Sequence, residues 1–221
     1  MREGESPAIL FIMTVLSHLT LLPTPYVFYK RQYVFELCCS IFGLVVSFMY
    51  HTTESFNTPI FLSEMQWHRL DNIGAISMMG IWQVYLCCFQ NPFVEMCCKC
   101  FCIFFTLIVQ QKHPWDVRFT IAPVLCFSLF PVVKHCFIDH RIPSVCIRRL
   151  ALGSLLFSIA LVFFFLGLDD RADKYRMCHS AWHFFCGLAF FFFWVMVKTP
   201  GCTGNYGRHR HELAARGDIL L

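Results

Sequence analysis

Met177-Cys178-His179-Ser180-Ala181-Trp182-His183 opens the last long apolar run of the chain. If this run is an α-helix, His179 and His183 lie one turn apart on the same face. Two imidazoles at this spacing suit a single metal ion, but such pairs also occur as interfacial histidines satisfied by water, lipid headgroups or the backbone. Polar, titratable side chains are costly in a membrane unless they pair or bind a ligand. The other polar residues of the chain therefore decide how this stretch is interpreted.

The composition indicates a polytopic membrane protein. The 221 residues are 57% hydrophobic and 17% aromatic, and only 14% are charged. A soluble domain has about 25% charged residues, so this chain cannot cover itself with a hydrated surface. We expect membrane lipids as partners and no nucleic acid; the oligomeric state is not predicted.

Seven apolar runs are long enough to cross a bilayer or nearly so, which predicts an all-α, seven-transmembrane helix bundle forming one domain over residues 1–221. The first run stops at Pro23, and we expect a retained helix rather than a cleaved signal peptide, because no small-residue cleavage site follows it. The predicted spans cover residues 8–22, 33–50, 70–89, 93–109, 119–137, 150–168 and 181–197.

The positive charges predict the orientation of the bundle. With seven spans, eleven of the 18 Lys and Arg residues fall on the side of the carboxyl terminus. Basic loops favour the cytosolic side. We therefore expect the amino terminus outside or in a lumen and the tail in the cytosol, in the plasma membrane or in a Golgi or endoplasmic reticulum membrane.

With this orientation, five polar residues from three separate spans meet at the outer face. The second span ends with Ser47 and His51, the third begins with Asp71, and the seventh begins with His179 and His183. Three imidazoles match the ligand set of a catalytic zinc site, which leaves the fourth position to water. A carboxylate nearby can orient that water and accept its proton, and a serine one turn before His51 can donate a hydrogen bond to a developing oxyanion.

The order and spacing of these residues carry a family resemblance. Ser47-x-x-x-His51, then Asp71, then His179-x-x-x-His183 resembles the signature of the CREST superfamily of seven-helix membrane proteins. The local sequence is most similar to the branch that contains myomaker and the post-GPI-attachment phospholipases. The resemblance implies Zn²⁺ bound by the three histidines, with Asp71 and Ser47 assisting hydrolysis of a lipid acyl bond.

Two functions remain open at this point. The first is a zinc-dependent hydrolase of a lipid ester or amide. The second is a non-catalytic protein for membrane remodelling, fusion or signalling, in which zinc links the helices. A transporter or channel is less supported, because few ionisable residues lie at the predicted midplane. His18, inside the first span, is expected to be a satisfied interior histidine rather than a ligand.

Overall fold

The computed structural model describes residues 6–112, 115–141, 143–169 and 172–197, and it is helical throughout this part of the chain apart from connecting turns. The prediction of an all-helical protein is confirmed. The orientation of the termini stays a prediction, and most of the terminal charges used for it lie outside the described residues. The helices are α1 (Pro7–Ser17), α2 (Pro23–Arg31), α3 (Val34–Phe56), α4 (Glu64–Leu86), α5 (Pro92–Gln110), α6 (Val117–Val132), α7 (Ile147–Leu166) and α8 (Met177–Val195).

The first predicted span ends at the wrong place. It was expected to stop before Pro23, but the chain makes a short 3₁₀ turn over His18–Leu21 and then continues as α2, with prolines in its first turn. A proline is tolerated there, because the first N–H groups of a helix have no partner within the helix in any case. The result is one apolar segment, Pro7–Arg31, with an irregular turn at its centre.

The other boundaries agree with the predictions to within about one or two turns. The largest difference at a start is in α4, which begins at Glu64 instead of residue 70. Ser63 accepts a hydrogen bond from the Gln66 N–H, and the Gln66 side chain accepts one from the Ser63 N–H. This capping box starts the helix within a polar stretch that apolar patterning leaves out.

Six segments of the described chain are long and apolar enough to cross a membrane. Among the long helices described, α4 does not meet this criterion of length and hydropathy. It has the same length as α3, 23 residues, but a more polar sequence. Its neighbours include α3, α5 and α6, and its Ile76 and Val84 are buried with Cys102 of α5 and Phe127 of α6. The protein is therefore an integral multi-pass membrane protein, and α4 is one of its inner helices.

Large apolar side chains cover the outside of the bundle. Phe104 on α5, Leu125 on α6 and Val162 on α7 are all more than half exposed. This surface is unsuited to water and suits lipid tails. Inside, Phe28 and Trp194 pack edge to face, with ring centroids 4.7 Å apart.

The middle of α8 packs against the irregular turn of the first segment. A Cβ on Gly187 would lie 2.5 Å from Thr20 Oγ1 and 2.8 Å from the Thr20 carbonyl carbon. Glycine is therefore needed for this close approach. The approach places His18 beside the histidines at the start of α8.

Candidate functional site

The three histidines of the sequence motif lie together between α3 and α8. The ring centroid of His51 is 5.1 Å from that of His179 and 5.3 Å from that of His183. The Nε2 atoms of His179 and His183 are 3.0 Å apart. Two nitrogens at this distance can share one proton or face one cation.

Glu54 orients the ring of His51. Its Oε2 lies 3.1 Å from His51 Nδ1, one helical turn further along α3. His51 is fully buried, and its Nε2 has no hydrogen-bond partner within the described ranges. A carboxylate on one ring nitrogen with a free lone pair on the other is the usual arrangement of a histidine that binds a metal.

An arginine holds Glu54 in turn. Arg176 Nε donates to Glu54 Oε1 over 2.8 Å, and Arg176 Nη2 donates to the hydroxyl of Tyr50 over 3.1 Å. Both charged side chains are largely buried. Because buried charges are costly unless they are paired, this ion pair fixes the position of the carboxylate that orients His51.

The turn that carries Arg176 also begins α8. Asp173 accepts hydrogen bonds from the N–H groups of Cys178 at 2.8 Å and His179 at 3.0 Å. Tyr175 and Arg176 both have positive φ, of 54°, which turns the chain sharply into the helix. One turn therefore sets both the start of the helix that carries His179 and the support of His51.

His18 also joins the cluster, a position that the sequence prediction did not give it. Its ring centroid lies 4.3 Å from that of His183 and 5.2 Å from that of His51. By ligand-atom distance alone, His18, His51 and His183 form a group within 4.8 Å that could hold a metal ion. No motif spacing pointed to His18, because it stands alone in its run and reaches the site only through the turn after α1.

Ser47 and Asp71 lie beside the histidines, as their place in the motif suggested. Ser47 Oγ is 2.8 Å from His18 Nε2, and the Asp71 carboxyl group is also within hydrogen-bond reach of Ser47. Both residues line a cavity of about 130 Å³ together with His183.

Two cavities share Asp71 and His183 in their walls. The first runs along α3 and α4 and is mostly apolar; its walls include Gly43, Met78 and Phe190. The second, of about 190 Å³, is also mostly apolar but has more polar groups in its walls, among them the side chains of His68, Asn72 and Arg176. The ring of His68 there stacks on Trp115 at 3.7 Å. A molecule with one apolar and one polar end could therefore reach the cluster with each end in a matching cavity.

The histidine cluster could hold a metal ion. His51 offers an unpartnered, buried nitrogen that a carboxylate orients, and His179 and His183 offer two nitrogens that approach each other. Three imidazoles with an adjacent cavity suit zinc and also other divalent transition metals, so the donor set alone does not choose the element.

The fold and the cluster together define a class: an integral, multi-pass, all-helical membrane protein with a polar, histidine-rich site inside the bundle. A family model described as "Protein of unknown function (DUF3522)" matches residues 6–184, and the chain belongs to that family. The matched region contains the four histidines of the cluster together with Ser47, Glu54, Asp71 and Arg176. A comparison with curated proteins finds no match to the chain.

Proposed function

We propose that the protein is a zinc-dependent membrane hydrolase that cleaves an acyl ester or amide bond of a lipid. The observation that carries this proposal is the joint position of three imidazoles with a carboxylate and a hydroxyl beside two cavities that share Asp71 and His183, one of them richer in polar groups. Membership of the CREST superfamily is part of the same proposal and rests on the motif residues.

His51, His179 and His183 would hold the zinc ion. Zinc bound by three imidazoles polarises a carbonyl group and lowers the pKa of a coordinated water. The protein's contribution to this site is rigidity: Glu54 fixes one ring, and Asp173 fixes the helix end that carries the other two.

Asp71 would act as the general base. It lines both cavities, where a water could lie beside a substrate carbonyl. Asp71 would accept a proton as the water oxygen bonds to the carbonyl carbon. It would then return the proton to the leaving oxygen or nitrogen as the acyl bond breaks. Ser47, on the same wall, would donate a hydrogen bond to the carbonyl oxygen as negative charge develops there.

The substrate class follows from the cavities. The apolar cavity between α3 and α4 suits an acyl chain, because its walls are methionine, phenylalanine and glycine with few polar groups. The cavity beside His68 and Arg176 suits a polar headgroup. A lipid so placed has its acyl bond at the junction, next to Asp71.

The proposal includes seven spans, with α4 as the additional one. At about 1.5 Å per residue, its 23 residues extend roughly 34 Å, enough for the hydrocarbon core of a bilayer. It lacks the hydropathy of a lipid-facing span because Asp71 and Asn72 face the interior of the bundle, where polar residues have partners.

The test is Asp71→Asn, with the half-buried Asp116 at the start of α6 changed to Asn as the matched control, since asparagine also caps a helix. The substitution keeps size and most hydrogen bonding but removes the proton acceptor. We expect the Asp71 variant to fold and keep about one zinc per chain. Its turnover should fall on the order of 10²-fold or more on lipids that carry a fluorescent acyl chain in ester or amide linkage. Lipidomics on cells that express each variant identifies the substrate.

The same experiment separates the hydrolase from a protein in which the metal only links helices. A zinc-loaded Asp71→Asn protein that retains every cellular effect of the wild type would show that proton transfer at this position is not needed. The structural role for the metal would then replace hydrolysis.

A further inference from the structure

Both ring nitrogens of His18 already have hydrogen-bond partners. Nδ1 lies 2.7 Å from the carbonyl oxygen of Thr14, and Nε2 lies 2.8 Å from Ser47 Oγ. The Thr14 carbonyl is available because the helix ends there: the His18 N–H bonds to the carbonyls of Val15 and Leu16 instead. The irregular turn after α1 thus supplies an acceptor for the histidine ring.

These partners fix the tautomer of the neutral ring. A carbonyl oxygen only accepts hydrogen bonds, so Nδ1 must carry the hydrogen. Nε2 is then an acceptor, and the hydroxyl hydrogen of Ser47 is donated to it. The Asp71 carboxyl group is also within hydrogen-bond reach of Ser47, but Ser47 has a single hydrogen, and with neutral His18 that hydrogen is donated to Nε2 and not to Asp71.

His51 differs from His18 in the one respect that matters for metal binding. The carboxylate of Glu54 occupies Nδ1 of His51, and Nε2 is left without a partner within the described residues. In His18 the corresponding lone pair points to the Ser47 hydroxyl. The distances between ligand atoms alone would accept His18 as a ligand together with His51 and His183, so the hydrogen bonds decide between the two roles.

We propose that His18 is a positioning residue for Ser47 and not a metal ligand. This inference rests on the proposed function, and it divides the four histidines into three ligands and one residue that holds the serine. In the resting protein His18 holds the Ser47 hydroxyl at the cavity wall and accepts the hydroxyl hydrogen, so that Ser47 does not donate it to Asp71. Asp71 therefore retains its acceptor sites for water. When a substrate carbonyl enters, the same hydroxyl needs only to rotate its hydrogen from His18 to the carbonyl oxygen.

The experiment compares His18→Gln and His18→Leu with Ser47→Ala and the double variant His18→Leu/Ser47→Ala in the full-length protein. His179→Gln serves as the ligand control. A glutamine amide oxygen can accept the Ser47 hydrogen where Nε2 does, whereas leucine cannot. For each variant we would measure four quantities: the zinc content, the absorption spectrum of the cobalt-substituted protein, the unfolding midpoint and the lipid turnover.

We expect both His18 variants to keep zinc and an unchanged cobalt spectrum, while His179→Gln loses the metal. Turnover in His18→Leu should fall about tenfold, the scale of one hydrogen bond, and the double variant should be no slower than the slower single variant. His18→Gln should restore most of the turnover. If both His18 variants lose zinc as His179→Gln does, His18 is a ligand and the inference is wrong.

Failure of the His18 inference can be distinguished from failure of the proposed hydrolase function. If the wild type binds no zinc and cleaves no lipid, the hydrolase is refuted, and the His18–Ser47 pair is then judged by unfolding alone. The effects of His18→Leu and Ser47→Ala on the unfolding midpoint should then be less than additive, because each removes the same hydrogen bond. Full additivity would refute the pairing as well.

Discussion

The buried ion pair between Arg176 and Glu54 gives the sharpest stability prediction. The side chains are 4% and 11% exposed, and their closest atoms are 2.8 Å apart. Arg176→Met removes the cation but retains an apolar side chain of similar reach. Glu54 then stays buried, and of the two partners described for its carboxylate only His51 is left. Removing one partner of a buried pair costs about 3–5 kcal/mol, so we expect a loss of this size in the free energy of unfolding.

A control variant and a double-mutant cycle make this stability prediction specific. Arg118→Met removes an arginine from the exposed ion pair with Asp116, and the unfolding transition should stay essentially unchanged. Combining Arg176→Met with Glu54→Met removes both charges, and the double variant should be more stable than the sum of the single effects predicts, by about 1–3 kcal/mol. Unfolding is measured in bicelles on metal-free protein, so that metal binding does not contribute.

Two results would refute this reasoning. One is an Arg176→Met protein as stable as the wild type, which would mean that Glu54 is solvated or neutral without the arginine. The other is an additive cycle, which would mean that the two side chains do not interact in the folded protein.

Three further outcomes are expected. His179→Ala should lower both the zinc content and the thermal stability, since a ligand that binds only the folded state stabilises it; elemental analysis and a melting curve with and without chelator check this. Gly80→Ala should destabilise the bundle by about 1–3 kcal/mol, because its Cβ would lie 2.7 Å from Phe127 Cδ2. Gly43→Ala, which meets nothing within 4 Å, should not, and unfolding in bicelles compares the two. An epitope tag after Leu221 should be stained by antibody only in permeabilised cells; staining of intact cells that display the protein at the plasma membrane would contradict the charge distribution.

The helical fold could be predicted because each span is a local property of the chain. A run of about 20 apolar residues must be a helix in a bilayer, since only a helix satisfies the backbone within the segment. The positions of Ser47 and His51 within one run, and of His179 and His183 within another, follow from the helical period.

Local signals failed where neighbouring elements decide the structure. Pro23 was expected to end a helix, but a proline can equally begin one, and the packing of the first segment against α8 determines which. The start of α4 was missed because the capping box formed by Ser63 and Gln66 is polar and gives no apolar signal.

The sequence by itself therefore determined the class of protein and predicted five residues that the structure brings together, because the helical period is a property of single segments. Only the tertiary structure brought His18, Glu54 and Arg176 to the site. Glu54 and Arg176 are 122 positions apart, and His18 and Ser47 are 29 apart. Partners at such separations are chosen by how the helices pack against one another, and no spacing within a single run of residues encodes that choice.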